Sequence, residues 1–343
     1  MSKQLNDFIS KFVQFEIERG LPKKSVEKLP KLLRIIIEEE MPKRDKFSHV
    51  YVRDLSNSTN LPCTVVTDEV WCLPVKDKYL MAGVVFPYWR HGFKSICKDE
   101  NLKDTISWFF HFASQYIARS RVVDVIGAIA LAYNQACDFR GETCRLYSIN
   151  EFKAFTIDSI RKECGVDKLN QDKCNNRGKR FINYFNLFNS LDPFINRMVF
   201  NYTRAINLFK NGFEEEAITA LDNTVNVAEQ YVRERLQRSD KDQRALTCFI
   251  LGMTRSEVNS LKQLYNLRCC FGAHPSFTKW WDFFEIYEDH FEEFFKVVKK
   301  IVINTCRMEQ VNRVVDKKPK SWSQWLNSNL LMLWEAVSFQ KIP

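Results

Sequence analysis

The stretch NSLKQLYNLRCCFGAHPSFTKWW, residues 259–281, decides how the rest of the chain is read. It opens as a helix pattern, with Leu261, Leu264, Tyr265 and Phe271 at helical spacing. At about 100° per residue, Arg268 projects within about 20° of Leu261. A permanently charged guanidinium therefore falls inside an apolar stripe. Unpaired burial of such a charge is very costly, so Arg268 needs a partner or a task. Six residues later stands His274, a side chain that titrates near neutral pH unaided. Gly272 and Pro275 flank it, which predicts that the helix loosens or stops there.

In a regular helix, Arg268 and His274 would point about 120° apart. They converge only if the helix distorts at Gly272, or if two copies of the segment meet across a two-fold axis. Such a pair suits phosphodiester chemistry on RNA. Arg holds a phosphate oxygen bidentately, and His moves the proton of the 2′-OH or of the leaving oxygen. The plainer alternative is an Arg ion-paired to a neighbouring acidic helix and a His that caps its own helix end.

These residues carry a resemblance. Arg268-Cys-Cys-Phe-Gly-Ala-His274 resembles the Arg-x(4–6)-His motif of the HEPN superfamily. Residues 204–232, RAINLFKNGFEEEAITALDNTVNVAEQYV, are similar to the opening helix pair of those domains, with a short break before an Ala/Leu-rich second helix. The run HPSFTKWWDFF and the helix expected after it also look like the family, and the likeness spans roughly residues 190–310. It implies a C-terminal helical bundle that dimerises and cleaves RNA without metal or cofactor, in toxin–antitoxin or abortive-infection defence. It also implies RNA, a second copy of the chain, and an antitoxin or other defence-system component as partners. Carried over by residue, Arg268 would orient the phosphate and His274 would transfer the proton. One position departs from the pattern: family members that cleave RNA often carry Asn, Asp or His directly after the Arg, where this chain has Cys269. That departure keeps a second reading alive, a non-catalytic dimerisation or RNA-binding module beside a ligand- or partner-sensing N-terminal domain.

Composition fits a globular, mostly α-helical protein. Of 343 residues 45% are hydrophobic, and only 10 are Gly and 10 Pro, which favours long helices over turns. The 28 Phe point to aromatic-rich helix packing. A net charge of +9 is consistent with a polyanionic partner. Lys173, Arg177, Lys179 and Arg180, among Asn170, Asn175, Asn176 and Gly178, read as a basic loop beside the bundle. With Lys279 they form a candidate RNA-contacting set, weighed against an ordinary solvated surface. Eleven Cys without a C-x-x-C or a matching His pair argue for free thiols in a reducing cytoplasm over zinc or disulfides. The first residues lack an apolar leader, and the longest apolar run, Val122–Tyr133, is too short to span a bilayer.

Taken in order, residues 3–40 carry two amphipathic helix patterns, parted at Gly20-Leu21-Pro22. Between residues 47 and 90, three β-branched or aromatic runs separated by turn residues predict a three-stranded antiparallel sheet. Trp71, Tyr88 and Trp89 there suit packing better than base stacking, and His49, Asp68 and His91 follow no motif. Two helices are expected between residues 102 and 137, and another over 151–164. The polar, basic segment 166–180 separates an α+β domain, residues 1–165, from the bundle, residues 181–312. A last amphipathic helix, with Trp322, Trp325 and Trp334, falls in residues 313–343. Within the bundle Asp192-Pro193 reads as a helix start and Asn211-Gly212 as a break. Asp222 and Glu229, seven apart, share one face of the second bundle helix, so either could pair with Arg268 and orient it. The fold expected is mostly α, with a small antiparallel sheet in the N-terminal half and a HEPN-like bundle in the C-terminal half.

Overall fold

A computed structural model describes residues 3–41, 49–56, 65–66, 70–75, 79–86, 97–137, 139–148, 176–188, 192–269, 280–315, 330–331, 333–335 and 338. Helices dominate, with one small antiparallel sheet in the N-terminal half. The first amphipathic pattern forms α1 (Lys3–Glu18), which buries Leu5, Phe8, Ile9 and Phe12 on one face. It stops at Gly20, whose φ of +85° is the left-handed value that glycine adopts without a Cβ penalty. Gly20 N–H donates to Ile17 O and Leu21 N–H to Glu16 O, which satisfies the last carbonyls of the helix. The second pattern forms α2 (Lys23–Arg34) and winds on as a π-helical turn over Ile35–Glu40.

Among the described residues the sheet has five strands, in the order β2-β3-β4-β1-β5. They are β1 (His49–Ser56), β2 (Val65–Val66), β3 (Val70–Val75), β4 (Tyr79–Phe86) and β5 (Phe139–Ser148). This corrects the three-stranded expectation in two ways. The run read as one strand is a β2–β3 hairpin, Val65 opposite Cys72, with the polar residues Thr67, Asp68 and Glu69 between its arms. The fifth strand, FRGETCRLYS, alternates poorly and carries a Gly and charges, so local pattern does not reveal it. It forms because β4 occupies one edge of β1 and leaves the other edge unpaired, and β5 fills it from His49↔Ser148 to Leu55↔Phe139. The charges suit its place at the sheet edge.

The two helices expected between residues 102 and 137 are one, α3 (Glu100–Tyr133), 34 residues and about 51 Å long. Neither Gly nor Pro stands between the two apolar runs, so nothing breaks the turn. Asp99 caps it, accepting from Asn101 N–H, and also accepts from Ser25 Oγ, which ties α2 to its start. From Leu102 to Ala132 most of α3 is buried, and it packs against β4 on one side and against α4 (Asn176–Phe188) and α5 (Pro193–Lys210) on the other. The expected linker thus gives way to helix at Asn176, while residues 151–164 and 166–175 lie outside the described residues.

Gly127 shows how tightly α3 meets the bundle. A Cβ there would fall 2.1 Å from Val199 Cγ1 and 3.2 Å from Phe188 Cε2. Val199 is β-branched and has little freedom to turn away. Gly127→Val is expected to destabilise by about 3 kcal/mol, the upper part of the overpacking range. Gly127→Ala should cost less, since alanine returns about 1 kcal/mol of helix propensity. Urea unfolding midpoints of the two variants check the ranking.

The next two helices follow the expected start and break closely. Asp192 caps α5, accepting from Phe194 and Ile195 N–H, with Pro193 at its first position. After the Asn211-Gly212 break comes α6 (Glu214–Glu234), buried along Ala217, Leu221, Val225, Ala228 and Val232. A short α7 (Gln243–Ile250), then α8 (Arg255–Arg268) and α9 (Trp280–Val315) pack around α6. Thr254 and Glu257 close a capping box at the start of α8, and Lys300 of α9 donates to both Glu257 carboxylate oxygens at 2.7 Å. Sheet, α3 and bundle share one continuous apolar core. The tail joins it: Trp334 lies among Phe8, Phe12, Phe15, Trp108 and Phe109 at centroid distances of 5.2 to 6.2 Å.

Candidate active site at the end of α8

The site is built outward from α6. Among its Leu, Ala and Val residues Asp222 is fully buried, and a carboxylate there must be compensated. Two guanidinium groups do so. Arg244 Nη1 donates to Asp222 Oδ1 at 2.8 Å, and Arg268 Nη1 donates to Asp222 Oδ2 at 3.1 Å. Asn226, one turn along α6, adds a donor to Oδ2 at 3.2 Å. Asp222 therefore does for Arg268 what the sequence allowed of it.

Glu229 does not. Its carboxylate accepts from Arg244 Nε at 2.6 Å, so it reaches Arg268 only through Arg244 and Asp222. Seven residues are about two turns, roughly 10 Å along the axis, and that spacing matches the two acids to different ends of one cation better than to a single one. Local pattern does not single out Arg244, which closes the charged run RSDKDQR, residues 238–244. A signal was present: Arg244 is the second residue of α7, and a positive charge in the first turn of a helix opposes the helix dipole. Such a charge has to be compensated by something other than its own helix.

Arg244 is hydrogen-bonded at all three of its nitrogens. Besides the two carboxylates it donates to Asn226 Oδ1 at 2.9 Å and to the Leu261 carbonyl at 3.3 Å, and its Cζ lies 5.0 Å from the Tyr265 ring centroid. Burial works against its charge, but Asp222 and Glu229 outweigh burial and hold its pKa above the ordinary value. Beneath it the buried Cys248 thiol is pushed up to about 11, chiefly by burial, which leaves it an inert thiol.

Arg268 differs in kind. Its side chain stays 33% exposed, and among the described residues Asp222 engages it through Nη1 alone. A guanidinium has five N–H donors in a rigid fork. One arm anchored to a buried carboxylate fixes the direction of the rest, which suits an oxyanion ligand. Cys269 follows at the helix end, half-buried, one turn after Tyr265. The neighbouring Cys269 is the main reason the Tyr265 phenol stays above its ordinary pKa.

The remaining expected site residues fall apart spatially or lie out of view. His274 and Lys279 are outside the described residues, as is Lys173; Arg177 lies in α4 with its side chain undescribed. Lys179 and Arg180 are exposed in the first turns of α4. Burial and the nearby Arg180 charge both lower the pKa of Lys299, next to the Lys300 that grips Glu257. Glu257 precedes Arg268 by eleven residues, about 16 Å along α8. Arg180 thus sits toward the opposite end of α8 from Arg268. His290 on α9 is exposed, and His111 on α3 is half-buried with its Nε2 3.1 Å from Gln115 Nε2.

Among the described residues, Cys72, Cys97, Cys137, Cys248, Cys269 and Cys306 form no disulfide. Among the described residues no group of three or more His, Cys, Asp or Glu side chains is placed to hold a metal ion, and no helix is long and apolar enough to cross a membrane. No protein-family model, curated protein or solved structure matches the chain, so the meaning of the site rests on its own geometry and chemistry.

Proposed function

We propose that this chain is a metal-independent RNA endonuclease of the HEPN type, acting in a cellular defence or toxin–antitoxin setting. Arg268 grips a non-bridging oxygen of the scissile phosphate and stabilises the charge that builds there. His274 takes the proton of the attacking 2′-OH and returns one to the leaving 5′ oxygen. Two chains compose the cleavage site, each bringing one Arg268 and one His274. The observation that carries this reading is the asymmetry of the two arginines on Asp222. Arg244 is hydrogen-bonded at all three nitrogens, whereas Arg268 is anchored at one nitrogen and a third of its side chain is open to solvent.

The test is incubation of purified protein with total RNA in EDTA, beside Arg268→Ala and His274→Ala. Loss of a well-placed proton-transfer group costs about 10²–10⁴-fold in rate, and loss of a charge-stabilising donor about 10²–10³-fold. Both variants should fall in those ranges. Undiminished cleavage by both would end the assignment.

One observation favours a second reading. The side chain after Arg268 is the thiol of Cys269, where cleaving members of the resembled family often present a polar residue. A bundle that dimerises or binds RNA without turnover would give an RNA complex in EDTA and intact RNA afterwards.

A further inference from the structure

We propose that Tyr265 is a stacking platform for one nucleobase of a single-stranded RNA, beside the phosphate that Arg268 takes. This rests on reading Arg268 as a phosphate clamp and adds to it the form in which the substrate is recognised. Tyr265 is 44% exposed, yet it is not loose. The Arg244 guanidinium lies against its ring at 5.0 Å. That guanidinium cannot drift, because Nε, Nη1 and Nη2 are all hydrogen-bonded, to Glu229, Asp222 and Asn226. With one face on a fixed cation, the solvent-exposed area falls to the other face and the edges.

Spacing supplies the link to RNA. Tyr265 and Arg268 are three apart on α8, neighbours on the helix surface at about 5–6 Å between Cβ atoms. That is the scale separating a base from the phosphate next to it. A pre-ordered ring beside an anchored guanidinium is what single-strand binding uses, since every base has a face to stack and every step has a phosphate. A base within a duplex is already stacked on its neighbours and cannot offer that face. The site therefore selects unpaired RNA with little preference for sequence, and Tyr265 sets the nucleotide next to the scissile bond.

The experiment reads binding, so it stands apart from cleavage. In a His274→Ala background, the affinity of a fluorescein-labelled single-stranded oligoadenylate is measured by anisotropy for Tyr265 and for Tyr265→Trp, Tyr265→Leu and Tyr265→Ala. A duplex of the same length serves as second probe, and each affinity is followed across salt concentration. Stacking one base corresponds to about 5- to 150-fold in affinity. Ala and Leu are expected to weaken single-strand binding by that much while Trp preserves it, although Leu matches much of the apolar bulk. The salt slope should stay unchanged across this set, and Arg268→Ala should lower it by about 1. Duplex binding should be indifferent to residue 265. Wild-type affinity in both Tyr265→Ala and Tyr265→Leu, or an equal loss on the duplex, would overturn the platform. If Arg268→Ala and His274→Ala cleave normally while the Tyr265 series behaves as expected, the nuclease reading falls and the platform stands. If those two are inactive and the Tyr265 series is neutral, the platform alone falls.

Discussion

Asp222→Ala should lower the stability of the protein by about 4 kcal/mol, the middle of the range for breaking a buried ion pair from one side. The removed carboxylate is fully buried and holds two guanidinium groups at 2.8 and 3.1 Å. Arg268 can relax into water, because a third of its side chain is already exposed. Arg244 has less room. Its side chain is only 11% exposed, so it would keep Glu229 but lose the partner on its other side. The dominant cost is thus an under-compensated cation beneath Tyr265. Two further results would identify that cause. Asp222→Asn, which keeps the shape and one acceptor, should lose less than Asp222→Ala. The double variant Asp222→Ala/Arg244→Met should recover part of the loss, since it removes the stranded charge. Urea unfolding of the three variants measures this. A loss under about 1 kcal/mol in Asp222→Ala would mean that the cluster is solvated and not the anchor of the site.

The second large effect lies where the C-terminal tail meets α1 and α3. Trp334→Ala is expected to cost about 3–5 kcal/mol, the range for emptying a buried aromatic site. Trp334 is 6% exposed and touches rings from α1 and α3, with Leu330 and Leu333 buried beside it. The cluster is also closed by polar contacts. Trp108 Nε1 donates to the buried Glu16 at 3.0 Å, and Arg19 pairs with the same carboxylate at 3.4 Å. A cavity at Trp334 would be walled by rings that cannot collapse without breaking this arrangement. Trp334→Phe should retain most of the stability. Hydrogen exchange should show α1 opening more readily in the Ala variant, because its buried face rests on this ring. Unchanged exchange in α1 would show that the tail merely lies on the surface.

What the sequence revealed divides along the range of the forces involved. The helices α1, α2, α5 and α6 follow from local periodicity and from stop signals such as Gly20, Asp192-Pro193 and Asn211-Gly212, all written within a few residues. The fifth strand was illegible, because β5 is drawn into place by an open edge of β1 some ninety residues earlier in the chain. Trp334 could be read only as part of an apolar face; its position says nothing about which rings it will meet. The same limit applies to the site. Asp222 was within reach because it shares a helix face with Glu229 and abuts the apolar stripe. That Arg244 would claim Glu229 and share Asp222 depends on how α7 folds back over α6, which local spacing does not encode. Arg268 stood out for a physical reason: a charge in an apolar stripe demands compensation, and the buried Asp222 supplies it.

The most direct measurement is the chemistry of the ends left by cleavage of a defined single-stranded RNA in EDTA, read by mass spectrometry. Attack by the 2′-OH with Arg268 and His274 at the phosphate should leave a 2′,3′-cyclic phosphate or 3′-phosphate and a 5′-OH. A single 2′-deoxy substitution at the scissile nucleotide should abolish the cut. Products with a 5′-phosphate and a 3′-OH, or cutting that survives the 2′-deoxy substitution, would contradict it.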